Sequence, residues 1–153
     1  GAEWVLLSYR VPREPSTPRI AVWRKLKRLG VAQLGDGLVA LPADVRTREQ
    51  LEWVAEDVEQ AGGSATLWSA RPGSDEQERR IAAEMAAARA VEYATVREQA
   101  AVAATGSDPS GVLRRLRAEL RRIERRDYFP PPERALARAA VAELAELAAR
   151  EPA

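Results

Sequence analysis

Residues 4–42, WVLLSYRVPREPSTPRIAVWRKLKRLGVAQLGDGLVALP, decide the fold. Residues 3–9 are short, apolar and bounded by Pro12, the pattern of a buried strand. Ser16 or Thr17 is placed to cap the next helix, with Pro18 at or near its first turn. Val22, Trp23, Leu26 and Leu29 recur at helical spacing, which predicts an inward-packing face. Arg24, Lys25, Lys27 and Arg28 take the rest of the helix. Gly30 stops it. Residues 31–34 and 38–41 then pair as a tight hairpin around Gly35-Asp36-Gly37.

Working outward, residues 47–61 form a second helix, with Leu51, Val54, Ala55, Val58 and Ala61 on about a third of the wheel. Gly62-Gly63 ends it, and residues 65–70, ATLWSA, make a strand cut off by Pro72. The order strand, helix, strand, strand, helix, strand is the βαββαβ ferredoxin-like pattern of an α+β domain. After Gly73 the composition shifts. Residues 74–104 are rich in Ala, Glu and Arg, without Gly or Pro, and read as one long helix. Gly106-Ser107-Asp108-Pro109 breaks it. Residues 109–126 form another helix, Tyr128-Phe129 and three prolines a stiff turn, and residues 132–150 the last helix. The expected organisation is a ferredoxin-like domain at 3–72 and a three-helix α-helical extension at 73–153.

The chain has 153 residues, enough for a proper core, and an ordinary balance of 46% hydrophobic and 31% charged residues. No apolar run approaches the length of a membrane span, and WVLLSY is too short for a signal-peptide core. Gly1-Ala2 reads as a cloning remnant, with the natural start then expected upstream. Cysteine and histidine are both absent. That removes thiolate chemistry, disulfides and sulfur metal sites, together with the commonest general base and the commonest metal ligand. No Gly-rich phosphate loop, Ser nucleophile elbow or metal-ligand spacing occurs. The expectation is a protein that is not an enzyme and needs no cofactor or metal.

Charge is gathered in one place. From Arg10 to Arg28 seven basic residues face one acid, Glu14, while the whole chain nets only +1. Arg10, Arg13 and Arg19 surround a helix N-terminus, where free N–H groups, the helix dipole and guanidinium forks suit an oxyanion or phosphate. The competing reading is a solvated surface with an Arg13-Glu14 pair. Arg24, Lys25, Lys27 and Arg28 extend the same basic region. In the helix 109–126, Leu113, Leu116, Leu120 and Ile123 form the apolar stripe. Arg114, Arg121, Arg122 and Arg125, with Arg115, Arg117 and Arg126, cover the other faces as phosphate contacts or as a solvated, ion-paired surface. Trp53 lies nearly opposite the apolar stripe of its helix. It reads as an interface residue, under the extension or against a partner chain, with ligand stacking the alternative. Asp44, Glu49, Glu52, Glu56, Asp57 and Glu59 make an acidic, solvated region around it.

The run SYRVPREPSTPRIAVWRKLKRLGVAQLGDGLVALP, the strand LWSARP and the turn RDYFPPPER resemble the N-terminal module of the chromate-resistance regulator family, ChrB. The resemblance implies a cytoplasmic, chromate-responsive transcription regulator that binds DNA, a chromate-like oxyanion, or both. Regulators of that family carry a further C-terminal domain, so the chain reads as a fragment or a shortened relative. The strand–Tyr–helix–Gly–hairpin order also resembles the ferredoxin-like nucleases of CRISPR adaptation and the related module of phenylacetate-pathway repressors. Those nucleases have a magnesium-binding Asp after the Tyr. Arg10 stands there in this chain, and a guanidinium cannot ligate a cation. The similarity therefore implies an inactive nuclease scaffold, and it implies a homodimer.

Overall fold

The computed structural model describes residues 2–150. Gly1 and residues 151–153 lie outside the described residues, so the reading of Gly1-Ala2 as a cloning remnant falls partly outside them. The elements are β1 (Trp4–Arg10), α1 (Ser16–Leu29), β2 (Ala32–Gly35), β3 (Leu38–Pro42), α2 (Val45–Gln60), β4 (Ser64–Ala70), α3 (Asp75–Ala104), α4 (Pro109–Arg125) and α5 (Glu133–Ala149). They divide into two compact units, Gly1–Ala82 and Ala83–Ala153.

In the first unit β1 is central. It pairs antiparallel with β3, Trp4 opposite Pro42, and with β4, Arg10 opposite Ser64. β2 joins the far edge of β3, giving the order β2-β3-β1-β4. This is the ferredoxin-like topology. Strand alternation sends Val5 and Leu7 of β1, with Leu41 and Val39 opposite them on β3, to one face. All four are fully buried, as are Leu51 and Val58 of α2. Val22 and Leu26 of α1 and Val54 of α2 complete this core. Each such side chain contributes about 1.5–3 kcal/mol by leaving water, which makes the seam between α1, α2 and the sheet the main source of this unit's stability.

Local chemistry sets the helix ends. α2 starts at Val45, two residues before the sequence-based start, because Asp44 caps it in a reciprocal box with Thr47. Thr47 N donates to Asp44 Oδ1 at 2.7 Å, and Asp44 N donates to Thr47 Oγ1 at 3.0 Å. The buried Thr47 hydroxyl also donates to Pro42 O at 2.6 Å, which ties the helix start to the end of β3. The expected Ser16 or Thr17 cap on α1 is not made. The N-cap residue is Pro15, with no side-chain hydrogen bond to the first turn. Trp23 also departs from expectation. Val22 and Leu26 turn inward, but Trp23 is 53% exposed, because its place beside Val22 lies beyond the edge of the narrow buried stripe.

Glu78, near the start of α3, accepts from Trp4 Nε1 at 2.9 Å and from Ala2 N at 3.1 Å. The first turns of α3 are thereby fastened to the beginning of β1. In the second unit, Tyr93, Val96, Ala100, Leu113, Leu116, Ile123, Ala137, Val141 and Leu144 share one core among α3, α4 and α5. Tyr93 is fully buried and its hydroxyl donates to Asp127 Oδ2 at 2.6 Å. Burial pushes the phenol's pKa up, and the bond to Asp127 pushes it further. Arg126 Nη1 meets Glu92 Oε2 at 2.5 Å and Arg89 Nε meets the same oxygen at 2.7 Å.

Replacing Tyr93 by Phe strips Asp127 of this donor beside its other, buried and unpartnered, oxygen. The expected cost is about 2 kcal/mol, read as a lower midpoint in thermal melting. The sign of the pH effect follows from the raised pKa. The stabilisation is complete below the unfolded phenol's pKa of about 10 and is lost as pH rises above it. The native protein's stability should therefore fall on going from pH 9 to 11.5, and Tyr93→Phe should flatten that fall.

Candidate functional site

The end of β1, the loop after it, α1, the β2–β3 hairpin and the α2–β4 turn border an open cleft of about 1280 Å³. β1 and its loop supply Tyr9, Arg10, Val11, Pro12 and Arg13; α1 supplies Ser16, Arg19, Ile20 and Trp23. The hairpin adds Gln33, Asp36 and Gly37, and the turn adds Gly62, Gly63 and Ser64. Arg10, Arg13 and Arg19 thus reach one cleft from three places in the chain. All three are exposed, and none forms an ion pair with a carboxylate among the described residues. The first turn of α1 holds no acidic residue and no side-chain cap, so its N–H groups add to the positive field on this side.

Two glycines make the cleft possible. Tyr9 N donates to Gly37 O at 2.8 Å, which clamps the hairpin tip to β1. Gly37 has φ +67°, and a Cβ there would stand 2.4 Å from Tyr9 O. A Cβ on Gly63 would stand 2.2 Å from Arg10 O and 2.9 Å from Val58 Cγ1. The backbone of Tyr9-Arg10 is gripped on both sides by residues that have room only as glycine. That grip holds the Arg10 side chain at the cleft. The Tyr9 phenol is pushed up in pKa by partial burial, with nearby Arg19 opposing the shift.

The other basic residues divide. Lys25 is engaged by Asp57 of α2, so its charge is spent on joining the two helices. Lys27 Nζ lies 4.6 Å from the centre of the Trp23 ring. Arg24 and Arg28 are exposed on α1. On α4, Arg122 pairs with Glu119 at 2.6 Å and Arg125 Nε donates to Arg121 O at 3.4 Å. Arg114 and Arg121 are exposed there. Arg115 donates to Gln99 of α3 at 3.0 Å and Arg126 to Glu92 of α3, so part of this arginine helix knits its own bundle. Trp53 is 61% exposed on α2. The aromatic and apolar wall of the cleft, Trp23 with Ile20, was not foreseen from sequence. Only the coincidence of Trp23 with four basic neighbours hinted at an outward position.

Among the described residues no group of three or more acidic, His or Cys side chains is placed to hold a metal ion. No helix among them is long and apolar enough to cross a membrane.

Residues 19–105 match the family model described as Protein ChrB, N-terminal. A curated relative, Protein ChrB of Cupriavidus metallidurans, is 32% identical over 139 residues. That alignment covers 83% of this chain and 40% of the relative, so the chain spans less than half of that protein's length. No solved structure matches. With the matched segment running from Arg19 in α1 through the end of α3, the chain belongs to the ChrB N-terminal family.

Proposed function

We propose that this chain is a regulatory module of chromate resistance, acting in the cytoplasm, whose arginine cleft binds the phosphates of DNA or a chromate-like oxyanion. The observation that carries the reading is the meeting of Arg10, Arg13 and Arg19 in one cleft with no carboxylate paired to them. Three guanidinium groups outside ion pairs, against the single Asp36 carboxylate in the same cleft, raise the local potential and favour an anionic ligand. Arg24 and Arg28 extend that potential along α1, and Lys25 and Lys27 contribute to it in part. Arg114, Arg121, Arg122 and Arg125 are auxiliary phosphate contacts. The module acts in this reading as a binding protein, its arginines serving to hold an anion.

A homodimer suits this role, because a two-fold operator offers the same phosphates twice. Exposed Trp53 on α2 is the proposed contact between copies. Light scattering on wild type and Trp53→Ala tests that part, and a monomer at all concentrations would remove it.

The central test is a titration of the chain with chromate, sulfate and a DNA fragment at two salt concentrations. DNA affinity should fall as salt rises, and Arg10→Ala with Arg13→Ala should weaken it about thirtyfold. Chromate bound no better than sulfate would assign the cleft to phosphate. Binding indifferent to salt and to both substitutions would remove the cleft from the function.

A further inference from the structure

The cleft of about 1280 Å³ is broad and open to solvent, and its lining extends well beyond the three arginines. A lone tetrahedral oxyanion at the arginines would leave most of it empty. The remaining wall is not more positive charge. It carries the half-exposed indole of Trp23 and the side chain of Ile20 at one place, and the Asp36 carboxylate and Gln33 amide at another. Cations, a flat aromatic surface and paired acceptor and donor groups are three different kinds of recognition. Together they match a ligand with a charged end, a planar ring and polar ring edges.

We infer that the cleft binds a nucleoside phosphate with its base unstacked from any neighbour, the phosphate at Arg10, Arg13 and Arg19 and the base against Trp23. This rests on the reading of the arginines as an anion site and adds the class of ligand. Lys27 Nζ lies over one face of the indole at 4.6 Å, so stacking falls to the other face; the residue is exposed to half its area and makes no hydrogen bond through its ring nitrogen among the described residues. Lys27 over the ring withdraws electron density from it, which favours an electron-rich base as stacking partner. Aromatic–base stacking is tolerant of sequence, so the cleft would accept every base with modest preferences. Asp36 offers acceptors, and Gln33, whose Nε2 already donates to Gly35 O at 2.6 Å, keeps its carbonyl oxygen and second N–H to discriminate among ring edges. The nucleotide comes either free or as an unpaired position in a single strand, and both present the same chemistry.

The test uses the full chain and calorimetric titration with adenosine 5′-monophosphate, ribose 5-phosphate, sulfate and a short single-stranded oligonucleotide. The mononucleotide should bind about tenfold more tightly than ribose 5-phosphate, and Trp23→Leu should abolish that margin while leaving ribose 5-phosphate unchanged. Trp23 is outside the core, so the variant keeps its fold, which circular dichroism verifies. An oligonucleotide that binds more tightly than the mononucleotide and loses the same factor in Trp23→Leu places the ligand in a strand; one that does not places it in the free nucleotide pool. Equal affinity for the mononucleotide and ribose 5-phosphate, both weakened by Arg10→Ala with Arg13→Ala, overturns the stacking and leaves the anion site standing. Absence of binding by every phosphate compound overturns both.

Discussion

Changing Arg10, Arg13 and Arg19 together to Ala is expected to weaken phosphate-ligand binding by a little over a hundredfold. Each guanidinium in the cleft is solvated before the ligand arrives, so each contact takes a value below that of a buried charged hydrogen bond. At about 1 kcal/mol per contact the three sum to about 3 kcal/mol, which is about 150-fold. The salt dependence supplies an independent signature. If three phosphates lose their partners, the slope of log affinity against log salt should drop by about two to three. The fold should be untouched, because none of the three is in the core or in an ion pair. A triple variant that keeps its slope while losing affinity would mean that the arginines act through shape and not through charge.

The second large effect concerns a residue without a side chain. Gly63→Ala places a methyl group 2.2 Å from the Arg10 carbonyl and 2.9 Å from Val58 Cγ1. The first neighbour is backbone in the central strand and cannot rotate aside; Val58 is fully buried. β4 must therefore move off β1 at the end where Arg10 faces Ser64. Overpacking of this kind costs about 3 kcal/mol, and the thermal midpoint should fall by about 6–12 °C. Binding should weaken as well, since the displaced strand end carries Arg10. Gly63→Ala that melts with wild type would show that the turn has slack the close approach conceals.

The strand and helix order was legible because apolar period and breakers agree at nearly every joint: Pro12, Gly30, Gly62-Gly63 and Pro72 all fall between elements. α2 illustrates the limit. Leu51, Val54, Ala55 and Val58 of its apolar stripe are buried as read, but Ala61 falls just beyond the helix and is only partly buried, and the start was misplaced because Asp44 caps the helix from Val45 in a reciprocal box with Thr47. The basic loop was legible as charge density. That Arg10, Arg13 and Arg19 line one cleft depends on the turn from β1 into α1, which spacing alone does not specify. Trp23 was read inward because a large apolar ring beside Val22 resembles core, whereas the stripe that contacts the sheet is only as wide as Val22 and Leu26. The roles of Gly37 and Gly63 depend on which carbonyl approaches them, and the Lys25–Asp57 link depends on the neighbouring helix. These are tertiary facts with no local signal.

The four tryptophans make the protein optically unusual. Trp23, Trp53 and Trp68 are each more than half exposed, and Trp4 alone is enclosed, at 2% exposure with its indole N–H on Glu78. Solvent relaxes the excited state of an exposed indole in the folded chain much as in the denatured one. The spectral shift on denaturation therefore comes almost wholly from Trp4, and it times the parting of β1 from the first turns of α3. Emission that changes under native conditions belongs to the other three, so one wavelength scan separates loss of structure from events at the surface.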